Sequence, residues 1–148
     1  MRVPAAAVLV GLIAVVLAGC SLLPPPAGIQ LTIPATGEVR ALPVTVVDHA
    51  GIVRDAAPGE LPDKVVAGPG TWEASVQAVA GRDDAVLVTW VGGSCDDRAI
   101  VTIDETGGRY AVTVRTESSA TECDAAGRFR AVLLSLVGPV APDAFEAP

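Results

Sequence analysis

The chain is poor in the side chains on which many catalytic and metal sites depend. Its 148 residues contain one histidine, His49, one lysine, Lys64, and no asparagine. A catalytic serine or cysteine needs a neighbouring base, most often histidine, and zinc sites usually combine several histidines or cysteines. The sequence therefore disfavours a hydrolase triad and a zinc site, and we interpret His49 as a turn or surface residue.

Positive charge and aromatic rings are scarce as well. The formal net charge is −7, and aromatic residues make up 3% of the chain. Proteins that bind nucleic acid or anionic lipid through charge carry clustered lysine and arginine. Surfaces that bind carbohydrate or single strands usually present several exposed rings. The composition predicts no nucleic-acid partner and no charge-driven docking to lipid.

The first twenty residues have the pattern of an export signal. Arg2 provides a short basic start, and residues 5–18 form an apolar run that only Gly11 interrupts. As a helix at about 1.5 Å per residue, this run spans roughly 21 Å, whereas the bilayer core is about 30 Å thick. The length favours a removable signal segment over a stable transmembrane anchor.

The end of this segment, Leu17-Ala18-Gly19-Cys20, resembles the lipobox of bacterial lipoproteins. The resemblance implies removal of residues 1–19 and attachment of a diacylglyceryl group to the Cys20 sulfur, often with N-acylation. Two or three acyl chains on one residue give stable membrane anchoring, whereas a single chain is marginal. The resemblance therefore predicts a protein that is anchored by lipid at the extracytoplasmic face of the cell membrane. The alternative is an ordinary secretion signal, or a buried apolar helix with a chance cysteine.

The cysteine count agrees with this interpretation. Three cysteines cannot all pair, but lipid on Cys20 leaves Cys95 and Cys123, and an oxidising compartment permits a disulfide between them. Asp96 and Asp97 would raise the pKa of a thiol at Cys95, which opposes a nucleophilic role. Ser94 also lacks the G-x-S-x-G context of a hydrolase. We predict that the segment around Cys95 is a structural corner.

Composition divides the mature chain into three parts. Residues 20–41 contain the lipidated cysteine and a proline-rich tether in which residues 31–33 form a weak edge strand. Residues 42–140 form a β-domain, and residues 141–148 form a surface tail.

Within the β-domain, short apolar segments alternate with turn residues. Residues 72–78 alternate as a half-buried strand, although Trp72, Val76 and Val79 would also share one helical face. Residues 54–70 are mostly loop with a possible strand at 64–67. The pattern predicts an all-β fold, a small antiparallel β-sandwich or open barrel. The predicted strands are 44–47, 52–53, 72–78, 85–91, 99–103, 109–116 and 130–137.

Acidic residues gather in the predicted turns. If the strands form a meander, Asp83, Asp84, Asp104 and Glu105 share one end of the sheet. Four carboxylates suit Ca²⁺, which takes six to eight oxygen ligands, but the spacing matches no known calcium loop. We therefore interpret these residues as turn-forming and solubilising, and retain them only as weak metal candidates. No cofactor is predicted.

The region from Trp72 to Ala147 resembles small lipoproteins common in actinobacteria. It shares a strand leading to W-V-G-G-x-C, a valine-rich hairpin, a second cysteine, and a strand that ends near Gly-Pro. The excess of arginine over lysine is also typical of a GC-rich genome. This resemblance implies lipidation and a disulfide but no activity. We expect a non-catalytic binding or accessory module of the cell envelope with an unidentified protein partner. A small-ligand or metal-ion carrier is the alternative, and an envelope hydrolase fits least.

Overall fold

The computed structural model describes residues 28–34, 41–61, 74–123 and 127–146. These residues form nine strands and one short 3-10 turn, Pro142–Ala144, and the strands are arranged in two sheets that enclose a shared apolar core. The prediction of a small all-β sandwich is confirmed. The strands are β1 (Ile29–Ile33), β2 (Leu42–Asp48), β3 (Val53–Pro58), β4 (Ser75–Val79), β5 (Arg82–Gly93), β6 (Arg98–Thr106), β7 (Arg109–Glu117), β8 (Gly127–Leu136) and β9 (Phe145–Glu146).

One sheet has five strands in the order β1-β2-β6-β7-β9, and the other has four in the order β3-β8-β5-β4. The four-stranded sheet is antiparallel throughout, as the sequence predicts. The five-stranded sheet also contains two parallel pairs, β2–β6 and β7–β9. Parallel neighbours need a long connection, and the chain makes the first one by passing through the four-stranded sheet between β2 and β6.

The core lies between the two sheets and follows the alternation of the strands. The alternation of the predicted strand 130–137 places Val132, Leu134 and Leu136 on one face, and all three are fully buried on the inner face of β8. Val86 and Val88 on β5 lie beside them. Removing each such side chain from water stabilises the fold by about 1.5–3 kcal/mol. The five-stranded sheet contributes the opposite wall: Leu42, Val44, Val46, Ala99, Val101, Ile103 and Val112.

The sequence predicts a hairpin of strands 99–103 and 109–116 joined by a turn at 104–108. The hairpin is confirmed as β6 and β7, and its turn is shorter than predicted. Thr106 pairs with Arg109, so the turn contains only Gly107 and Gly108. Both have positive φ, at 62° and 79°. A two-residue turn that needs positive φ at both positions favours glycine. Residues 104–106, which precede these glycines, therefore remain in β6.

Two expectations about strand boundaries are wrong. Residues 54–70 were expected to be mostly loop, but β3 continues to Pro58. It is an edge strand, and proline at the end of an edge strand removes no ladder hydrogen bond that the sheet requires. The possible strand at 64–67 and the start of the predicted strand at 72–78 lie outside the described residues.

The second correction concerns the C-terminal tail. Phe145 was expected on a surface extension, but it is 8% exposed, and its ring centroid lies 5.3 Å from that of Tyr110. Together with Glu146 it forms β9 beside β7, because the large apolar ring gains more from the core than from water. At the other end of the chain, β1 confirms the predicted edge strand at residues 31–33.

The buried ladder between β5 and β8 predicts a large cost for truncation. Leu134→Ala should lower the free energy of unfolding by about 2–5 kcal/mol, because it removes a fully buried side chain and leaves a cavity. Urea unfolding of the purified protein measures this change. Val137→Ala, at a position that is 68% exposed, is the control and should change stability by less than about 0.5 kcal/mol. Equal effects of the two variants would contradict this arrangement of the core.

Candidate functional site

The glycine- and cysteine-rich segment after β5 is a structural corner. The Asp96 carboxylate accepts a hydrogen bond from the Gly93 N–H at 2.7 Å, which holds the chain as it leaves the strand. A Cβ at Gly92 would lie 2.7 Å from Asp96 Oδ2, too close for any other residue without movement. Glycine at position 92 therefore leaves room for the Asp96 carboxylate.

The disulfide between Cys95 and Cys123 is confirmed. It joins the β5–β6 loop to the segment before β8 across a sequence separation of 28 residues. In the chain-entropy description a loop of this length stabilises the fold by about 3–4 kcal/mol. Ser118 Oγ also donates to the Cys95 carbonyl at 2.9 Å. Because both sulfurs are bonded, this corner offers no thiolate for nucleophilic chemistry.

The acidic residues do not form the turns that the sequence predicts. Asp83 and Asp84 belong to β5, and Asp104 and Glu105 belong to β6, because the glycines already make the turns. Consecutive strands β5 and β6 place both pairs at the same end of the sandwich, but on different sheets. Among the described residues, no group of three or more histidine, cysteine, aspartate or glutamate side chains lies close enough to hold a metal ion.

Instead, Asp84 and Asp104 each lie beside a basic side chain. Asp84 lies 3.2 Å from Arg54 Nη2 and 3.3 Å from Arg82 Nε. Desolvation of the carboxylate raises the pKa of Asp84, but hydrogen bonds and charge from the two arginines outweigh it, so the pKa lies below its ordinary value. On the other sheet, Asp104 Oδ1 lies 2.7 Å from His49 Nδ1.

His49 occupies a turn, as predicted. The carboxylate of Asp48 accepts hydrogen bonds from the N–H groups of Ala50, Gly51 and Val53 at 2.6–3.0 Å, which closes the connection from β2 to β3. The His49 N–H donates to the Ile103 carbonyl at 2.9 Å. This histidine thus lies beside the C-terminal part of β6, several strand residues from the cysteine corner.

A pair of buried donors was missed by sequence reasoning. Trp90 and Arg130 face each other across the β5–β8 ladder, and Trp90 Nε1 and Arg130 Nε have no hydrogen-bond partner among the described residues. Burial lowers the pKa of Arg130, Asp96 opposes this shift and Arg128 adds to it. The alternation of β8 does contain the signal, because Arg130 shares the inner face with Val132.

The outer face of the four-stranded sheet contains an apolar groove of about 690 Å³. We call it the outer groove. Its walls come from all four strands of this sheet, from the segment that follows β3 and from the β4–β5 turn, and they include a buried Gln77 Nε2 that has no hydrogen-bond partner among the described residues. The lining residues are Pro58, Glu60, Leu61, Gln77, Ala78, Val79, Ala80, Leu87 and Leu133.

One wall of the outer groove exists because the chain crosses the sheet after β3. The Gly59 N–H donates to the Ala131 carbonyl at 3.1 Å, and a Cβ at Gly59 would lie 2.5 Å from Leu87 Cδ1. Leu61 then projects from the same face and is 46% exposed, as is Phe129 on β8. The sequence signal that could have found this surface is that residues 85–91 are apolar on both faces of the strand.

In the part of the chain that the structure describes, no helix has the length and hydropathy needed to cross a membrane. The predicted signal segment and Cys20 lie outside the described residues. Comparison with models of protein families, with curated proteins and with solved structures finds no significant match. The proposed function is therefore based on the outer groove, the disulfide and the N-terminal sequence.

The two arginines around Asp84 predict a pH-dependent contribution to stability. The folded-state pKa is lowered, so the contribution is present above the unfolded pKa and is lost as pH falls through the lowered pKa. Asp84→Asn should reduce the melting temperature at pH 7, and its difference from wild type should shrink below about pH 4. Thermal melts from pH 7 to pH 2 measure this. Glu105→Gln, an exposed change of the same charge, should have a smaller effect at pH 7. A pH-independent effect of Asp84→Asn would contradict the assignment.

Proposed function

We propose that this protein is an extracytoplasmic lipoprotein, anchored through Cys20, whose β-sandwich is a non-catalytic binding module of the cell envelope. The N-terminal sequence pattern supports the anchor. The disulfide supports an oxidising compartment, because such bonds persist mainly outside the cytosol. The small sandwich supplies a rigid support, and the proposed binding surface lies on the outer face of its four-stranded sheet.

The observation that carries this proposal is the outer groove. Half-buried Leu87 and Leu133 form its floor, and exposed Leu61 lies in its lining, while Phe129 is exposed on the same face of the sheet outside the lining. Exposed apolar surface of this kind is typical of protein interaction sites. The occupant that fits is an apolar segment of another envelope protein, since aromatic and aliphatic anchors dominate such contacts.

The positions of the candidate nucleophiles and of the base support a non-catalytic role. His49 lies beside Ile103, whereas Ser94 and Cys95 precede the opposite end of β6. The five-residue step from Arg98 to Ile103 spans roughly 16 Å at about 3.3 Å per residue, well beyond hydrogen-bond reach. The histidine therefore cannot serve as the base for either side chain in this fold.

A small-ligand carrier is the second candidate, and one observation favours it. The volume of about 690 Å³ lies within the range of about 300–1,000 Å³ that is typical of small-molecule sites. Such a ligand would be largely apolar, because leucine, alanine, valine and proline side chains make up most of the lining. A single-protein adduct in cells supports the protein partner, whereas a thermal shift of the isolated protein with apolar small molecules supports the carrier.

The anchor predicts a specific mass. Intact-mass analysis of the membrane-extracted protein should show a chain that begins at Cys20 and carries two or three acyl chains. Cys20→Ala should abolish the added mass and release the protein from the membrane fraction. A chain that begins at Met1, or an unmodified Cys20, would contradict the anchor while leaving the groove proposal to be tested separately.

The groove predicts site-selective cross-linking in living cells. A photo-reactive amino acid at Phe129 should give one dominant protein adduct, and the same group at exposed Thr113 on the other sheet should give little. Leu61→Glu places a charge at the rim of the groove and should reduce the Phe129 adduct by about tenfold. Equal labelling from the two positions, or an adduct that Leu61→Glu leaves unchanged, would exclude the outer groove as the binding surface.

A further inference from the structure

The outer groove is apolar along its floor, but one of its lining residues is charged. Glu60 is exposed and lies in the segment that follows β3. Within the described part of the chain, its carboxylate has no arginine, lysine or histidine partner. A negative charge at the wall of an apolar site favours a partner that brings a positive one.

Asp55 on β3 places a second carboxylate on the same face. It pairs with Ser135, which is two residues from Leu133 on the groove floor. Because alternate residues of a strand share a face, the Asp55 side chain projects toward the outer side of the sheet. It is exposed, and its Oδ1 accepts a hydrogen bond from the Ala56 N–H, which brings no compensating charge.

Asp83 on β5 provides a third carboxylate near the β4–β5 end of the groove. It shares the outward face of β5 with Leu87, and its neighbour Arg82 pairs with the lining residue Val79. Asp83 is exposed and has no basic partner among the described residues. We call the three exposed carboxylates of this face the acidic rim: Asp55, Glu60 and Asp83.

The arginines of β3 and β5 do not neutralise the acidic rim. Arg54 Nη2 lies 3.2 Å and Arg82 Nε lies 3.3 Å from the carboxylate oxygens of Asp84. Both guanidinium groups are thus engaged by a different carboxylate, and the outer face keeps an excess of negative charge. The rim carboxylates are therefore available to the basic groups of a partner.

We propose that the protein segment that occupies the outer groove carries lysine or arginine residues beside its apolar anchors. This inference rests on the proposed function and specifies the chemistry of the partner. The apolar anchors lie over Leu87 and Leu133, and the basic side chains lie beside the acidic rim. Complementary charge of this kind speeds association and excludes like-charged segments more than it adds affinity.

The charge of the whole chain acts in the same direction. The formal net charge is −7, so a basic segment is attracted to the protein before it makes contact. On the five-stranded sheet, Glu117 and Glu146 already pair with arginines. The acidic rim therefore adds a local attraction at the groove that these paired carboxylates do not provide.

A photo-reactive amino acid at Phe129 of the full-length protein tests the charge of the partner. In isolated membranes, Glu60→Lys should lower the yield of the dominant adduct by at least about threefold, because it replaces an attraction by a repulsion. Glu60→Gln only removes the charge and should have a smaller effect. Glu105→Lys, the same change of charge at an exposed position on the other sheet, is the matched control and should leave the yield unchanged.

Salt and the sequence of the partner provide two independent readouts. Raising NaCl from about 50 to about 500 mM should lower the wild-type yield and narrow its difference from Glu60→Lys, because salt screens exposed charges. The photo-reactive group at Leu61, next to Glu60, marks the segment of the partner that lies at the rim. Mass spectrometry of this adduct should find lysine or arginine within a few residues of the attachment point.

The outcomes separate this inference from the proposed function. A dominant adduct that Glu60→Lys and salt leave unchanged, or one attached to a segment without basic residues, would overturn the basic partner and leave the outer groove as the binding surface. Equal losses from Glu60→Lys and Glu105→Lys would overturn the role of the acidic rim. The absence of a dominant adduct from both Phe129 and Leu61 would overturn the groove proposal, and this inference with it.

Discussion

The structure depends on the antiparallel ladder between β5 and β8. It runs without a register shift from Ala85–Ser135 to Gly93–Gly127 and lies in the middle of the four-stranded sheet. Its inner side supplies Val88 and Leu134 to a core that excludes water, and every strand of the five-stranded sheet contributes side chains to that core or packs against it. Because apolar burial is the dominant favourable term in folding, the remaining strands are placed by the need to cover this ladder.

The same ladder also explains why the outer groove exists. Strands that are apolar on both faces need cover on both sides, and here the five-stranded sheet covers only one. On the outer side, the segment that includes Gly59 and Leu61 crosses part of the sheet, and Leu87 and Leu133 remain half-buried beside it. The apolar groove is therefore a consequence of strand composition and topology. A protein partner would complete the coverage that the described chain leaves incomplete.

Local features of this fold could be predicted from the sequence, and long-range ones could not. Alternation identified the inner face of β8, and two adjacent glycines identified the β6–β7 hairpin. Cysteine parity identified the disulfide. The parallel pairing of β2 with β6 and the docking of Phe145 depend on surfaces distant in the sequence, which no local period encodes. The acidic residues were wrongly predicted to lie in turns. Glycines alone form the β6–β7 turn, so Asp104 remains paired within its strand.

The corner at residues 92–97 resembles an active site in its sequence, but its contacts hold the backbone in place. Its cysteine is bonded, its aspartate holds the Gly93 N–H, and its glycine makes room for that aspartate. Together these contacts hold the C-terminal end of β5 at Gly93, where it pairs with Gly127 of β8, six residues beyond the Leu87 that lines the outer groove. A rigid surface loses little conformational freedom when it binds, so pre-organisation strengthens association without additional contacts. In the proposed function, the partner contacts the outer groove, and the corner holds one end of the ladder on which that groove is built.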